Sequence, residues 1–182
     1  MPLQIVETSE QLPFDIADVK AALRIESDED DEILARLIAD AIQQCETITW
    51  RTIRERTLCL ILDDFECREI HLPRPKCNAV TSVEYYDITN TLRTLSPSWY
   101  QVDIVSQPGE VELAYGYYWP NTYPRNDAVK ITYTAGYRDG DEIPECIFSA
   151  VCIYVAAIIY NKPPDYDAMR DVLSGIAMPE FM

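Results

Sequence analysis

The chain has 182 residues, with 31 acids against 15 bases for a formal net charge of −16, and 48% of its residues are apolar. That length suits one domain, or one domain with a subdomain, and the apolar content is enough for a packed core and excludes a disordered chain. The charge excludes a bulk surface made for nucleic acid or anionic membrane, because both would be repelled.

The first part of the chain, residues 1–53, reads as helical. Met1–Glu10 has neither a basic n-region nor an apolar h-region, so no secretion signal is expected. In "DIADVKAALRI", Asp15 is placed to cap a short helix, with Ile16, Val19 and Leu23 at helical spacing. "SDEDDEILARLIADAIQQCETIT" predicts a longer helix starting at Ser27 or Asp28. Its apolar stripe is Leu34, Leu37, Ile38, Ala41, Cys45 and Ile48, an amphipathic face that needs a partner. The acidic run Asp28–Glu32 does not make a calcium loop. Ile33 stands where the sharp-turn glycine belongs, and Ala39 where the bidentate glutamate belongs. These acids suit the positive end of the helix dipole.

Residues 54–137 read as β. "RTLCLILDD", "REIHL", "VTSVEYYDI", "LRTL", "YQVDIV", "EVELAY" and "AVKITYTAGY" are short β-branched and aromatic runs punctuated by proline and glycine. "ITNT" is placed to turn the third run into the fourth as a hairpin, and Pro108-Gly109 marks another turn. A small antiparallel sheet or barrel between the helical segments is predicted. Tyr115, Tyr117, Tyr118, Trp119 and Tyr123 cluster on one loop. Only Arg125 and Lys130 lie near them in sequence, so packing or a protein interface at Tyr117, Tyr118, Trp119 and Tyr123 explains the cluster better than base stacking.

"ITYTAGYRDGDEIPE", residues 131–145, follows a strand–glycine–helix order that invites comparison with a phosphate loop. It lacks the consecutive glycines and the Lys-Ser/Thr such a loop needs, and Asp139, Asp141 and Glu142 would repel an anion. Gly136 instead lets a strand end at positive φ, and Pro144 suits the start of a helix.

Residues 138–173 return to helix. The run from about Pro144 to Tyr160 places Ile147, Ala150, Val151, Tyr154, Val155 and Ile158 on one stripe, while Cys152, Ile153, Ala156 and Ile159 opposite are uncharged too. The run is too short to span a bilayer. A helix apolar on nearly all sides must be covered on nearly all sides, so Ile153, Ala156 and Ile159 are predicted to meet a neighbouring subunit. "NKPPD" stops this helix, and "DYDAMRDVL" supplies a short last one. Residues 174–182 read as an extended tail, mobile when free, whose Ile176, Met178, Phe181 and Met182 suit a partner's groove.

The six cysteines, Cys45, Cys59, Cys67, Cys77, Cys146 and Cys152, form no CxxC pair and read as reduced, buried small hydrophobes. Cys59, Cys67, Cys77 and His71, the only histidine, have the right chemistry for zinc but the wrong spacing for any common finger. His71 reads as a residue on a sheet surface. No residue is assigned a catalytic, cofactor or metal role.

Five stretches in fixed order carry a family resemblance: "VKAALRIESDEDDEILARLIADA", "IHLPRPKCNAVTSVEYYD", "YQVD", "WP…DAVKITYTAGY" and "IPECIFSAVCIYVAAIIYNKP", spanning roughly residues 12–162. Together they resemble the head–tail connector (adaptor) proteins of long-tailed phages and gene transfer agents, in the subset with a β insertion. The resemblance implies an α+β fold, a helical bundle with an inserted antiparallel β subdomain. It implies a structural protein of the virion neck, assembled in the host cytoplasm. Its copies would form a ring, commonly of twelve, beneath the capsid portal. The ring would extend the DNA channel without binding DNA specifically, and would dock stopper or tail-completion proteins. It implies no cofactor and no membrane. The C-terminal segment would reach the portal. A tail-terminator or head-completion role is the alternative within the class. A small acidic metal-dependent enzyme built on Asp28–Glu32 is the alternative outside it.

Overall fold

The computed structural model describes residues 2–27, 29–65, 67–138 and 141–178. The fold is α+β, and the chain divides into two compact units. A β unit comprises Met1–Ser9 and Glu55–Gly136, and a helical unit comprises Glu10–Arg54 and Tyr137–Met182.

The β unit holds eight strands among the described residues: β1 (Leu3–Thr8), β2 (Arg56–Leu62), β3 (Glu69–Leu72), β4 (Cys77–Tyr86), β5 (Leu92–Thr94), β6 (Tyr100–Asp103), β7 (Gly109–Leu113) and β8 (Val129–Ala135). They form a five-stranded sheet in the order β1-β2-β8-β4-β5 and a three-stranded sheet in the order β3-β7-β6, with every pair antiparallel. The strand β1 corrects the reading of residues 1–53 as helical throughout. Its partner lies 48 to 57 residues away, with Leu3 opposite Leu60 and Thr8 opposite Arg56. Nothing local in "LQIVET" announces that pairing.

Strict alternation builds the core of this unit. In β8, Val129, Ile131, Tyr133 and Ala135 are buried while the residues between them are half-exposed. In β3, Ile70 and Leu72 point inward, and in β7, Gly109, Val111 and Leu113 do. Leu58, Leu60, Val83, Leu95 and Phe65 complete the cluster. Tyr133 has no exposed surface, and its hydroxyl donates to the Pro73 carbonyl. Burial pushes its phenol well above the ordinary range. Gly109 is required by space: a Cβ there would stand 2.9 Å from the Cys77 Cβ. Gly136 ends β8 at φ 105°, its N–H donating to the Lys76 carbonyl at 2.9 Å and its carbonyl accepting from Asn78 Nδ2 at 2.8 Å.

The predicted hairpin joins β4 to β5, Tyr86 opposite Leu92. One Asp87 oxygen accepts from the Thr89 and Thr91 amides at 2.9 and 3.1 Å and from the Thr89 hydroxyl, while the other accepts from Arg93 Nε at 2.9 Å. These bonds hold the Asp87 carboxyl far below the usual carboxylate range. In the aromatic loop, Trp119 makes both a ring stack and a hydrogen bond. The Trp119 ring stacks on Phe65, with centroids 4.5 Å apart and planes 4° from parallel, and its Nε1 donates to the Cys67 carbonyl at 2.7 Å.

Four helices are described in the other unit: α1 (Ile16–Leu23), α2 (Asp31–Thr49), α3 (Glu145–Ile159) and α4 (Tyr166–Leu173). Asp15 caps α1, accepting from the Ala17 amide at 3.0 Å, and Asp165 caps α4, accepting from the Ala168 amide at 3.0 Å. The helix α2 begins at Asp31, later than the sequence pattern suggests; the acids before it belong to the approach, and Asp28 lies outside the described residues. Asp31 pairs with Lys20 of α1 at 2.9 Å. Leu34, Ile38, Ala41, Ile42 and Cys45 of α2, Ile147, Ala150, Val151 and Val155 of α3, and Met169 and Leu173 of α4 form one buried core with Val19 and Ile53. Among the described residues, no helix is long and apolar enough to cross a membrane.

Two polar side chains organise the end of α2. Glu46 is 4% exposed, and its Oε1 accepts from the backbone amides of Ile53 at 2.8 Å and Arg54 at 3.1 Å. It thereby turns the chain out of the helix. Arg51 donates from Nε to the Ile176 carbonyl and lies 3.8 Å from the Met178 sulfur through Nη2, while the Met178 amide donates to the Thr49 carbonyl at 3.1 Å. Residues 174–178, predicted as the start of a loose tail, therefore fold as a turn on their own unit, with Ile176 packed against the core. The partners that hold them lie about 125 residues earlier, so the local sequence carries no sign of them.

Glu46→Ala should cost about 3 kcal/mol by orphaning one buried and one part-buried amide, and lower Tm by about 6–12 °C for a chain of this size; thermal denaturation followed by circular dichroism reads this directly. Trp119→Ala should cost about 2 kcal/mol by removing the stack and its hydrogen bond, whereas Tyr118→Ala should stay within about 0.5 kcal/mol. Equal losses in chemical denaturation would mean that the loop is not anchored through Trp119.

Candidate interaction surfaces

The helix α3 is fully covered along one stripe and only partly covered elsewhere. Ile147, Ala150, Val151 and Val155 are buried by the other helices. On the rest of its surface, Ile153 and Ala156 are half-buried and Ile159 is 41% exposed. Of the three residues predicted to meet a neighbour, Ile153 already packs on its own unit's core, while Ile159 is the most open. Ile158 and Ile159 line a cleft of about 330 Å³ with Ile25, Ile33, Leu34 and Leu37, rimmed by Ser27, Asp30 and Asp31. Ile33 is 57% exposed at this cleft and was not singled out from the sequence. Its place off the buried stripe of α2 was the available signal.

The aromatic loop separates into anchor and display. Trp119 is committed to Phe65, as described above. Tyr117 lies against Trp99, with centroids 5.3 Å apart, and Tyr123 is tied by its amide to the Tyr86 carbonyl at 2.9 Å. Tyr115 and Tyr118 are the most exposed members, at 95% and 85%, with Tyr117 and Tyr123 exposed to a lesser degree. The cations near this loop in sequence are engaged: Arg125 sits 4.0 Å over the Tyr86 ring and bonds Asp127 at 2.9 Å and Asn90 at 3.1 Å, and Lys130 lies 3.9 Å from Asp127. A phosphate would have to displace those partners.

Of the tail residues predicted to contact a portal, Ile176 and Met178 are engaged with the end of α2, and Phe181 and Met182 lie outside the described residues. Burial lowers the pKa of the Arg51 guanidinium that holds them, which nonetheless stays charged at neutral pH.

The zinc candidates do not converge. His71 faces outward from β3, its Nδ1 3.2 Å from Glu110, while Cys77 is in the core and Cys67 is exposed. Among the described residues, no three His, Cys, Asp or Glu side chains are grouped to hold a metal ion. Burial pushes the Cys45 thiol up to about 12 and the Cys77 thiol up to about 11, which makes both poor nucleophiles.

Residues 14–94 match the family model described as phage gp6-like head-tail connector protein. No curated protein matches the sequence. The fold is shared with a chain in the neck of an empty gene transfer agent (GTA) particle computed with C6 symmetry. That match has a TM-score of 0.73 and 18% identity, and covers 94% of each chain. A chain of the virion of a native GTA particle matches with TM-score 0.72 and 19% identity, again over 94% of each chain. A chain in the neck of a native GTA particle computed with C12 symmetry matches with TM-score 0.65 and 22% identity, over 91% of this chain and 86% of that one. The chain thus joins the sequence pattern of the phage gp6-like head–tail connector proteins, over residues 14–94, to the fold of a GTA neck component over nearly its whole length.

Proposed function

We propose that the chain is a structural head–tail connector that works without catalysis. Its copies form a ring, of twelve subunits, under the capsid portal of a phage or gene-transfer-agent particle, after assembly in the host cytoplasm. The ring extends the DNA channel and offers a surface to stopper or tail-completion proteins. The observation that carries this reading is the agreement of fold over 94% of both chains with a protein of the GTA neck. The family match over residues 14–94 supports it from sequence.

The physical chemistry of the chain suits that role. A net charge of −16 gives the wall of a channel little attraction for phosphates, so DNA passes without sticking. The more open arc of α3, from half-buried Ala156 to Ile159, with the cleft beside Ile33, supplies the apolar surface for a neighbouring copy. A head-to-tail contact of this kind closes into a ring when the rotation between subunits permits. The tyrosines of the 115–123 loop, Tyr118 foremost, suit a protein partner, since aromatic residues are enriched at such interfaces.

Mass photometry of the purified chain, alone and with portal-bearing capsids, tests the ring. Ile159→Asp should abolish or strongly weaken association while leaving the far-ultraviolet spectrum unchanged and Tm only modestly lowered, because Ile159 is 41% exposed in the single chain and lies outside its buried core. A variant that assembles as the wild type does would remove this face from the interface. Duplex DNA should show no measurable gel shift at physiological salt; tight, salt-sensitive binding would overturn the passive-channel reading.

A further inference from the structure

The residues that a portal-reaching tail would use are, in this chain, already occupied. The Thr49 carbonyl belongs to the last turn of α2, where no later amide of the helix can reach it. The Met178 amide fills that role from the far end of the chain, at 3.1 Å. Arg51, just past the helix, adds a charge-assisted hydrogen bond to the Ile176 carbonyl and a contact to the Met178 sulfur at 3.8 Å. The Thr49 side chain is fully buried beneath this point, its hydroxyl donating to the Cys45 carbonyl at 2.7 Å and accepting from the Arg51 amide at 3.4 Å. The Ile176 and Ala177 amides continue the turn by donating to the Leu173 carbonyl, at 3.0 and 3.2 Å. The segment thus has a backbone anchor, a charged clasp and an apolar side chain seated on the core.

We propose that residues 176–178 form a strap that closes on the end of α2 in the free chain, that Arg51 is its lock, and that the strap opens before Ile176 and Met178 engage a partner. The partner side of this inference rests on the connector reading above. The closed strap holds back docking by ordinary competition: apparent affinity falls by the fraction of molecules whose strap is closed. It also keeps two apolar side chains from open exposure before assembly. Weakening the lock shifts the population toward the open form and should strengthen docking, with no new contact made to the partner.

Two arms test it on the full chain. Amide hydrogen exchange reads the strap at Met178, with the core amides of α2 and α3 as internal controls. Arg51→Ala should speed exchange at Met178 about tenfold, the loss of one charge-assisted hydrogen bond, with the control amides unchanged. Arg51→Lys, which keeps the charge but not the fork, should fall between. Sedimentation with purified portal-bearing capsids reads docking, and Arg51→Ala should dock more tightly than wild type. Unchanged exchange at Met178 in Arg51→Ala would overturn the lock. Faster exchange with docking equal to or weaker than wild type would overturn the competition. If neither protein docks while Met178 exchange still responds, the closed strap stands and the connector reading falls. Should Arg51→Ala fail to fold, Arg51→Lys carries the same comparison.

Discussion

Past Glu145 in its first turn, α3 carries no charged side chain for the rest of its fifteen residues, and the helical unit is arranged around that fact. Leaving such a helix in water would expose apolar surface at roughly 25 cal/mol per Å². The helices α1, α2 and α4 cover Ile147, Ala150, Val151 and Val155, bringing Val19, Ile38, Ala41, Met169 and Leu173 against them. Three helices of eight, nineteen and eight residues do not enclose a fourth completely. The uncovered arc through Ala156 and Ile159 is what remains, and its continuity with the cleft at Ile33 makes it one surface. The same demand for burial that organises the unit also leaves the surface on which assembly is proposed.

The fold was legible where its signals were local. Asp15 before an apolar period, the Asp87–Thr91 turn, Pro144 ahead of α3 and the prolines after it are all short-range statements, and each stands where an element begins or ends. Alternation in "VKITYTA" gave the orientation of β8 residue by residue. What was not legible depends on partners far along the chain. The strand β1 exists because β2 offers it an edge, and its own outward residues Ile5 and Val6 break the alternation that would have marked it. The division of the strands into two sheets likewise reflects which edges meet, which no single strand encodes.

The interaction surfaces follow the same rule. A helix without charges can be seen in one line of sequence, so the arc on α3 was predictable, though not that Ile153 would be drawn into its own core and Ile159 left out. The aromatic loop was visible as composition, but the split between Trp119 as anchor and Tyr118 as display needs Phe65, more than fifty residues earlier. The zinc candidates, already set aside on their spacing, are kept apart for a comparable reason. Residue types were right, yet strand geometry turns His71 outward and Cys77 inward.

Glu46 and Arg51 then acquire a common meaning. Both are charged residues in or just beyond the last turn of α2, and both serve backbone: Glu46 accepts from the amides of Ile53 and Arg54, and Arg51 donates to the carbonyl of Ile176. The first fixes where the chain leaves the helical unit for β2. The second fixes where the chain's last described residues return to it. They differ in what their loss would free. The segment held by Glu46 leads into Ile53, which has no exposed surface, so it has nowhere to go without breaking the core. The segment held by Arg51 is seated by one half-buried isoleucine and a handful of hydrogen bonds, so its opening lies at the low end of the local stability scale. An exit locked into the core and a last described segment, 176–178, held more lightly are thus built at one helix end from two charged side chains, and burial decides which is which.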